Sequence, residues 1–317
     1  MTVPHALEVQ DVSYRYGDLL ALDQLRFAVE AGELFALLGP NGSGKTTLFK
    51  LICTLGKLQD GDIRVFGDSC KSDTAAVRQS LGIIFQSPSL DGKLSVEENI
   101  RCQAALYGLS GTHLQKRLTE VASQLGISDR LDTRCEELSG GLKRRVEIAK
   151  GILHRPRLLL MDEPSTGLDP AARLDMWHAL QQLCRDDGVT ILLTTHLLEE
   201  AEKADRLGIM NRGQLVALGD SDGLRQELGG QVLTVHTGAT DAVTNCLSEI
   251  QGSKQFEIQL LGDNIRINGE GVAELVAPLT KQLSDQINSI NLAKPSLEDV
   301  FIARTGHQFF DNQQNSK

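Results

Sequence analysis

An α/β fold built on a phosphate-binding loop, with a mixed β-sheet core, a helical insertion and a small α+β module at the C-terminal end, is predicted by three observations. The first is the stretch Gly39-Pro40-Asn41-Gly42-Ser43-Gly44-Lys45-Thr46-Thr47, which has four residues between two glycines followed by Lys and Thr. It sits between an apolar run at 34–38 and a run at 46–55 with Leu48, Leu51, Ile52 and Leu55 at helical spacing. The second is a pair of further runs, at 158–161 and 189–195, rich enough in Leu, Ile and Val to read as strands buried on both faces of a parallel sheet. The third is a change of character from Ser87 to about Arg134, where no strand-like run occurs and amphipathic helical stretches take over.

Residues 7–17 alternate partly in β fashion and end in a glycine turn, and a second strand near 25–29 leads through Ala31-Gly32 to the strand before the loop. Tyr16 can stack on an adenine face or pack against the sheet. In the loop, glycines allow the backbone N–H groups to point inward, and the following helix N-terminus adds partial positive charge, so phosphates are cradled. Lys45 then reaches the β- and γ-phosphates of a nucleotide and the Thr46 hydroxyl ligates Mg2+.

Residues 59–62 read as a turn, 63–66 as a short strand and 81–85 as an apolar strand ending at Gln86, where ligands bind in open α/β sheets. Ser95-Val96-Glu97-Glu98 is a capping box, and 113–125 make another helix. His113 lacks a second metal-ligating residue at helical spacing and reads as a surface residue. Ser139, Gly140 and Gly141 precede a helix with Leu142, Val146, Ala149 and Leu153 on one face, a second anion-binding N-terminus beyond the first. One nucleotide has little use for two such sites on one subunit, so the second can serve a neighbour's nucleotide. Asp162 and Glu163 stand side by side where the strand 158–161 ends, a costly placement without a cation or hydrogen bonds. Asp162 can hold Mg2+ through water, and Glu163 can take a proton from, or orient, the water attacking a γ-phosphate. His196 follows the strand 189–195 as a further polar side chain at a strand's carboxyl end, suited to a γ-phosphate contact.

With these motifs in place the chain resembles the nucleotide-binding subunits of ATP-binding cassette transporters over roughly its first 220 residues. GPNGSGKTT from Gly39 matches the first Walker motif, Gln86 the Q-loop glutamine, and LSGG from Leu138 the signature. LLLMDEP from Leu158 matches the second Walker motif, STGLD from Ser165 the D-loop, and His196 the switch histidine. Leu142 departs from the glutamine that many members carry after LSGG, which resembles the drug-export branch. The resemblance implies a P-loop NTPase cassette fold, Tyr16 as the adenine-stacking residue, and Thr46, Gln86 and Asp162 as the Mg2+ set. It also implies Glu163 with His196 as the catalytic pair, and a second ATPase subunit, identical or different, whose ATP meets Ser139, Gly140 and Gly141, with Asp169 in the dimer loop. Closure of that pair would drive an integral membrane permease, from the cytoplasmic face of the membrane.

Within that frame 1–220 is expected to be the ATPase domain, its helical part about 87–155, followed by a linker at 221–230. Strands near 232–236 and 287–292, a hairpin of 255–261 and 264–268, and helices at 241–250 and 272–284 then suggest a ferredoxin-like accessory module at 231–305. Pro295-Ser296-Leu297-Glu298-Asp299-Val300-Phe301-Ile302 is similar to the closing segment of drug-, lipid- and polysaccharide-exporter ATPases. The polar tail, 306–317, is expected to be disordered from Asp311 on.

Composition sets the outer bounds. A net charge of -10 and a pI near 5.2 argue against a nucleic-acid groove as the main partner. The six cysteines lack a C-x-x-C pair and read as reduced. No basic region precedes an apolar stretch at the N-terminus, and no run approaches the ~20 apolar residues of a membrane span. The sequence therefore favours the ATPase subunit of a membrane exporter. The alternative is a soluble, non-transport cassette ATPase acting on nucleic acid or ribosomes, or serving as a regulatory module.

Overall fold

The computed structural model describes residues 5–250 and 256–309. The chain divides into two compact units, 1–215 and 216–317. The first opens with β1 (His5–Tyr16) and β2 (Leu19–Glu30), then β3 (Leu34–Leu38), α1 (Lys45–Ile52), β4 (Asp60–Val65), β5 (Asp68–Ser69), α2 (Thr74–Ser80) and β6 (Leu81–Ile84). The helical part α3 (Val96–Leu106), α4 (Gly111–Gln124) and α5 (Gly140–Ile152) follows. The chain then returns through β7 (Leu158–Asp162), α6 (Pro170–Asp187), β8 (Thr190–Thr195), α7 (Leu198–Ala201), β9 (Arg206–Asn211) and β10 (Gln214–Gly219).

Two sheets share one core. The six-stranded sheet has the order β10-β9-β3-β8-β7-β6, and a four-stranded sheet has the order β2-β1-β4-β5. Parallel pairing of β3 with β8 and β9, of β7 with β8, and of β6 with β7 aligns the carboxyl ends of these strands along one edge. Strands β3, β7 and β8 are buried at every position, as expected where both faces of a sheet are covered. Leu48, Phe49, Leu51 and Ile52 of α1 join Leu7, Phe27, Phe35 and Leu158 in a single apolar cluster, so the helix that begins at the phosphate loop is held by both sheets.

Before Gln231, three local expectations change. Residues 59–62 are not a turn, because β4 already starts at Asp60. Gly61 has φ 75°, and a Cβ there would stand 2.4 Å from the Gln10 carbonyl oxygen, so the glycine serves a bulged close approach to β1. The second strand begins at Leu19 rather than near 25, since register shifts along the β1–β2 pair blur its alternation. The stretch expected as a linker carries α8 (Ser221–Gln226), started by Asp220, whose carboxylate accepts from the Gly223 N–H at 2.7 Å.

The second unit continues with β11 (Gln231–Thr237), α9 (Thr240–Ile250), β12 (Glu257–Leu261), β13 (Asn264–Gly269), α10 (Val276–Leu283), β14 (Ile287–Ala293) and α11 (Leu297–Thr305). The strands lie in the order β12-β13-β11-β14 with antiparallel neighbours, which is the ferredoxin-like arrangement. Leu233, Val235, Val243, Leu247, Ile265, Ile267 and Leu279 form a core of their own. The expected helix at 272–284 is a 3-10 turn at Val272–Leu275 before α10, because Pro278 lacks an N–H and fits only the first turn of an α-helix. Gln255, and the tail from 310 onward, lie outside the described residues.

Candidate functional site

The site is built on the aligned carboxyl ends of β3, β6, β7 and β8. After β3 the chain turns through 39–44, with Gly42 at φ 80° and Gly44 at φ 104°. A Cβ on Gly44 would fall 2.6 Å from the Ala21 carbonyl oxygen, so this position of the loop admits glycine alone. The Gly39 N–H donates to the Thr195 carbonyl at 3.2 Å, tying the loop to β8. Tyr16, Asn41, Gly42, Gly44, Lys45, Thr46, Thr47 and Glu163 line a cavity of about 220 Å3 with Leu19, Leu20 and Ala21. Tyr16 is half exposed at its rim, edge-on to Tyr14 with ring centroids 4.9 Å apart.

Lys45 is buried, and its Nζ donates to the carbonyls of Gly39 at 2.7 Å and Pro40 at 3.0 Å. Burial pulls its pKa down, against the pull of the Glu163 and Asp162 charges. Its positive end rests on the loop's own oxygens, 3.9 Å from Glu163 Oε1. The Ser43 hydroxyl is buried without a hydrogen-bond partner among the described residues, which suits a loop made to meet an external acceptor such as a phosphate oxygen.

Asp162 is 5% exposed, and burial raises its pKa despite hydrogen bonds from the hydroxyls of Thr194, at 2.6 Å, and Thr46. A buried carboxylate beside a threonine hydroxyl at a phosphate loop is the hard oxygen set that Mg2+ takes, so these residues fit that ion.

Glu163 is where the strands converge. Its Oε2 accepts from Gln86 Nε2 at 3.3 Å and Thr166 Oγ1 at 3.5 Å, and lies 3.1 Å from His196 Nδ1, out of hydrogen-bond alignment. Its N–H donates to the Thr194 hydroxyl at 3.0 Å, and its φ of 43° is left-handed, a strained choice for a residue with a side chain. Residues delivered by β6, β7 and β8 thus meet at one carboxylate facing the phosphate loop.

Ser139, Gly140, Gly141 and Asp169 are not in this cavity. Ser139 caps α5 by accepting from the Leu142 N–H at 3.3 Å, and Asp169 caps α6 by accepting from the Ala172 N–H at 2.9 Å. The two helix starts pack closely, since a Cβ on Gly141 would come 2.7 Å from the Ala172 Cβ. Ser139, Gly140 and Asp169 face solvent.

Sequence reasoning misses Thr194 and Thr166, which hold the two acids. Two hydroxyls closing an apolar strand, Thr194-Thr195, were the available signal, since buried hydroxyls need partners. It also misses Arg144, Glu147 and Lys150, three buried charges on α5.

A family model described as ABC transporter matches residues 22–166. The chain is 37% identical over 221 residues to the probable multidrug ABC transporter ATP-binding protein YbhF of Escherichia coli, covering 70% of this chain but only 38% of YbhF. It is 32% identical over 313 residues to the linearmycin resistance ATP-binding protein LnrL of Bacillus subtilis, covering 96% of this chain and all of that one. Among solved structures, cbiO1 of Clostridium perfringens, described as part of the ABC transporter complex cbiONQ, aligns with a TM-score of 0.65 at 26% identity over 79% of this chain and 96% of that one. Phosphate loop, paired acids, signature serine and full-length similarity to LnrL together establish that the chain belongs to the ABC transporter family.

Proposed function

We propose that this chain binds ATP with Mg2+ at 39–47 and hydrolyses it, as one of two paired ATPase subunits that power a separate membrane permease in export. The observation that carries the reading is the meeting of Gln86, Thr166 and His196 on the Glu163 carboxylate, with Lys45 3.9 Å away across the phosphate loop. The phosphates would take the inward N–H groups of the loop, the Ser43 hydroxyl and Lys45, and the adenine would stack on Tyr16. Thr46, Gln86 and Asp162 are the residues that would hold Mg2+, which when bound would neutralise phosphate charge. Glu163 accepts a proton from the water that attacks the γ-phosphorus as the bond to the ADP oxygen breaks, leaving ADP and inorganic phosphate. His196, 3.1 Å from that carboxylate, meets a γ-phosphate oxygen.

Ser139 and the α5 N-terminus form a second anion site that points to solvent rather than into the subunit's own cavity, which supports their use on a second subunit's ATP, with Asp169 beside them. The names of YbhF, a probable multidrug ABC transporter ATP-binding protein, and LnrL, a linearmycin resistance ATP-binding protein, support export. No helix among the described residues is long and apolar enough to cross a membrane. In the export reading a separate permease does the spanning, with this chain at its cytoplasmic face. The soluble, non-transport reading finds no support in the names of these relatives, and a net charge of -10 does not favour a nucleic-acid partner.

The test is light scattering and phosphate release on wild type and Glu163→Gln, each with and without Mg-ATP. The variant is expected to bind ATP, lose turnover by about 100-fold or more, and accumulate as a dimer. Unchanged phosphate release would overturn the assignment of Glu163. A variant that stays monomeric with ATP bound would overturn pairing with a copy of itself.

A further inference from the structure

Outside the nucleotide cavity the chain buries three charges on a single helix. Arg144, Glu147 and Lys150 of α5 are 4%, 5% and 9% exposed and recur every three residues along the helix that begins at the signature serine. Burying charges is costly unless each is paired, and an apolar face would have packed more cheaply. What they hold is the segment after β6. Arg144 donates to the main-chain carbonyls of Phe85 at 3.1 Å and Gln86 at 3.2 Å, and to Glu147 at 3.0 Å. Glu147 accepts from the Ser89 N–H and, at 3.1 Å, from its hydroxyl. Lys150 Nζ donates to the Ser89 carbonyl at 2.8 Å and lies 3.2 Å from its hydroxyl.

Each of these bonds to 85–89 ends on main chain or on Ser89, so the side chain of Gln86 is left free to reach forward, and it does, to Glu163 at 3.3 Å. The root of that side chain is fixed from the signature helix. We propose that Arg144, Glu147 and Lys150 are positioning residues for hydrolysis, a clamp that fixes the main chain of 85–89 so that the Gln86 side chain meets Glu163. The inference rests on the ATPase reading above.

The test is a double-mutant cycle on the full-length chain, with Glu147→Gln and Ser89→Ala each made alone and together with Gln86→Ala, reading kcat and KM for ATP by phosphate release. Glu147→Gln is expected to lower kcat roughly 10-fold with KM nearly unchanged, and Ser89→Ala about 2- to 3-fold, because a misplaced group costs rate more than binding. Neither is expected to deepen the loss already present in Gln86→Ala. Losses that multiply in the Gln86→Ala background, or an unchanged kcat in both single variants, would overturn the clamp. Ser89 is exposed, so Ser89→Ala keeps the test decisive if Glu147→Gln does not fold. ATP turnover by wild type separates the two readings: a chain that releases no phosphate overturns the hydrolase reading itself, whereas multiplicative losses in an active chain overturn only the clamp.

Discussion

Lys45 shows how much of the site can be reasoned from single atoms. Its ammonium group is held by two loop carbonyls and drawn down in pKa by burial, so it is poised for a phosphate that would replace weak partners with a strong one. Lys45→Ala is expected to weaken ATP binding on the order of 100-fold, within the ~1.5–3 kcal/mol of a charged hydrogen bond, as read by nucleotide titration. Asp162 has the opposite balance. Its pKa is raised in the folded chain, so it binds its proton more tightly there than when unfolded. Below the ordinary value of 3.8 both states are protonated and nothing is lost, while ionisation at higher pH costs stability. Asp162→Asn is therefore expected to raise the melting temperature of the nucleotide-free chain at pH 7, by a margin that shrinks as pH falls toward 4, while Mg2+-dependent turnover is lost. Ser139 carries a subtler choice. Its cap uses an oxygen lone pair, leaving the hydroxyl hydrogen to donate to an anion, which an aspartate cap could not do.

At the scale of elements, helix starts decide more than helix interiors. Ser95 accepts from the Glu98 N–H at 3.2 Å while the Glu98 carboxylate accepts from the Ser95 N–H at 2.7 Å, completing the box that begins α3. Ser95→Ala is expected to cost about 1 kcal/mol, or roughly 2–4 °C in melting temperature by circular dichroism, without changing ATP affinity. That box was legible in the sequence because all of its partners lie within four residues. The phosphate loop, the paired acids and His196 were legible for a related reason, since each is announced by the strand it terminates. The bulge at Gly61 was not, because its cause is the Gln10 carbonyl on another strand, and a lone glycine reads the same in a turn. Thr194 and the charges on α5 were hidden likewise: what they bond, Asp162 and the segment 85–89, is distant in the chain.

For the molecule as a whole, each unit has a core of its own, and the cavity at the phosphate loop is lined from the first. Residues lining the cavity fall between 16 and 163, and the strands that deliver Gln86, Glu163 and His196 lie in the first unit. A chain ending at residue 220, which keeps β10 whole, is expected to bind ATP within a few-fold of the full-length affinity, as calorimetry would measure. Loss of binding in a folded truncation would mean that the α+β unit supports the site. The backbone at Glu163 has a longer reach. A left-handed conformation at a residue with a side chain is held against a cost of about 1–3 kcal/mol. Glycine there would relieve the strain but lose the carboxylate that Gln86 and Thr166 bond, so this position gives up backbone ease to keep an acid facing the phosphate loop. In a lineage released from hydrolysing ATP, drift would erase this carboxylate before it touched the apolar strands around it, and a cassette kept only to bind nucleotide would be recognisable by that single missing acid.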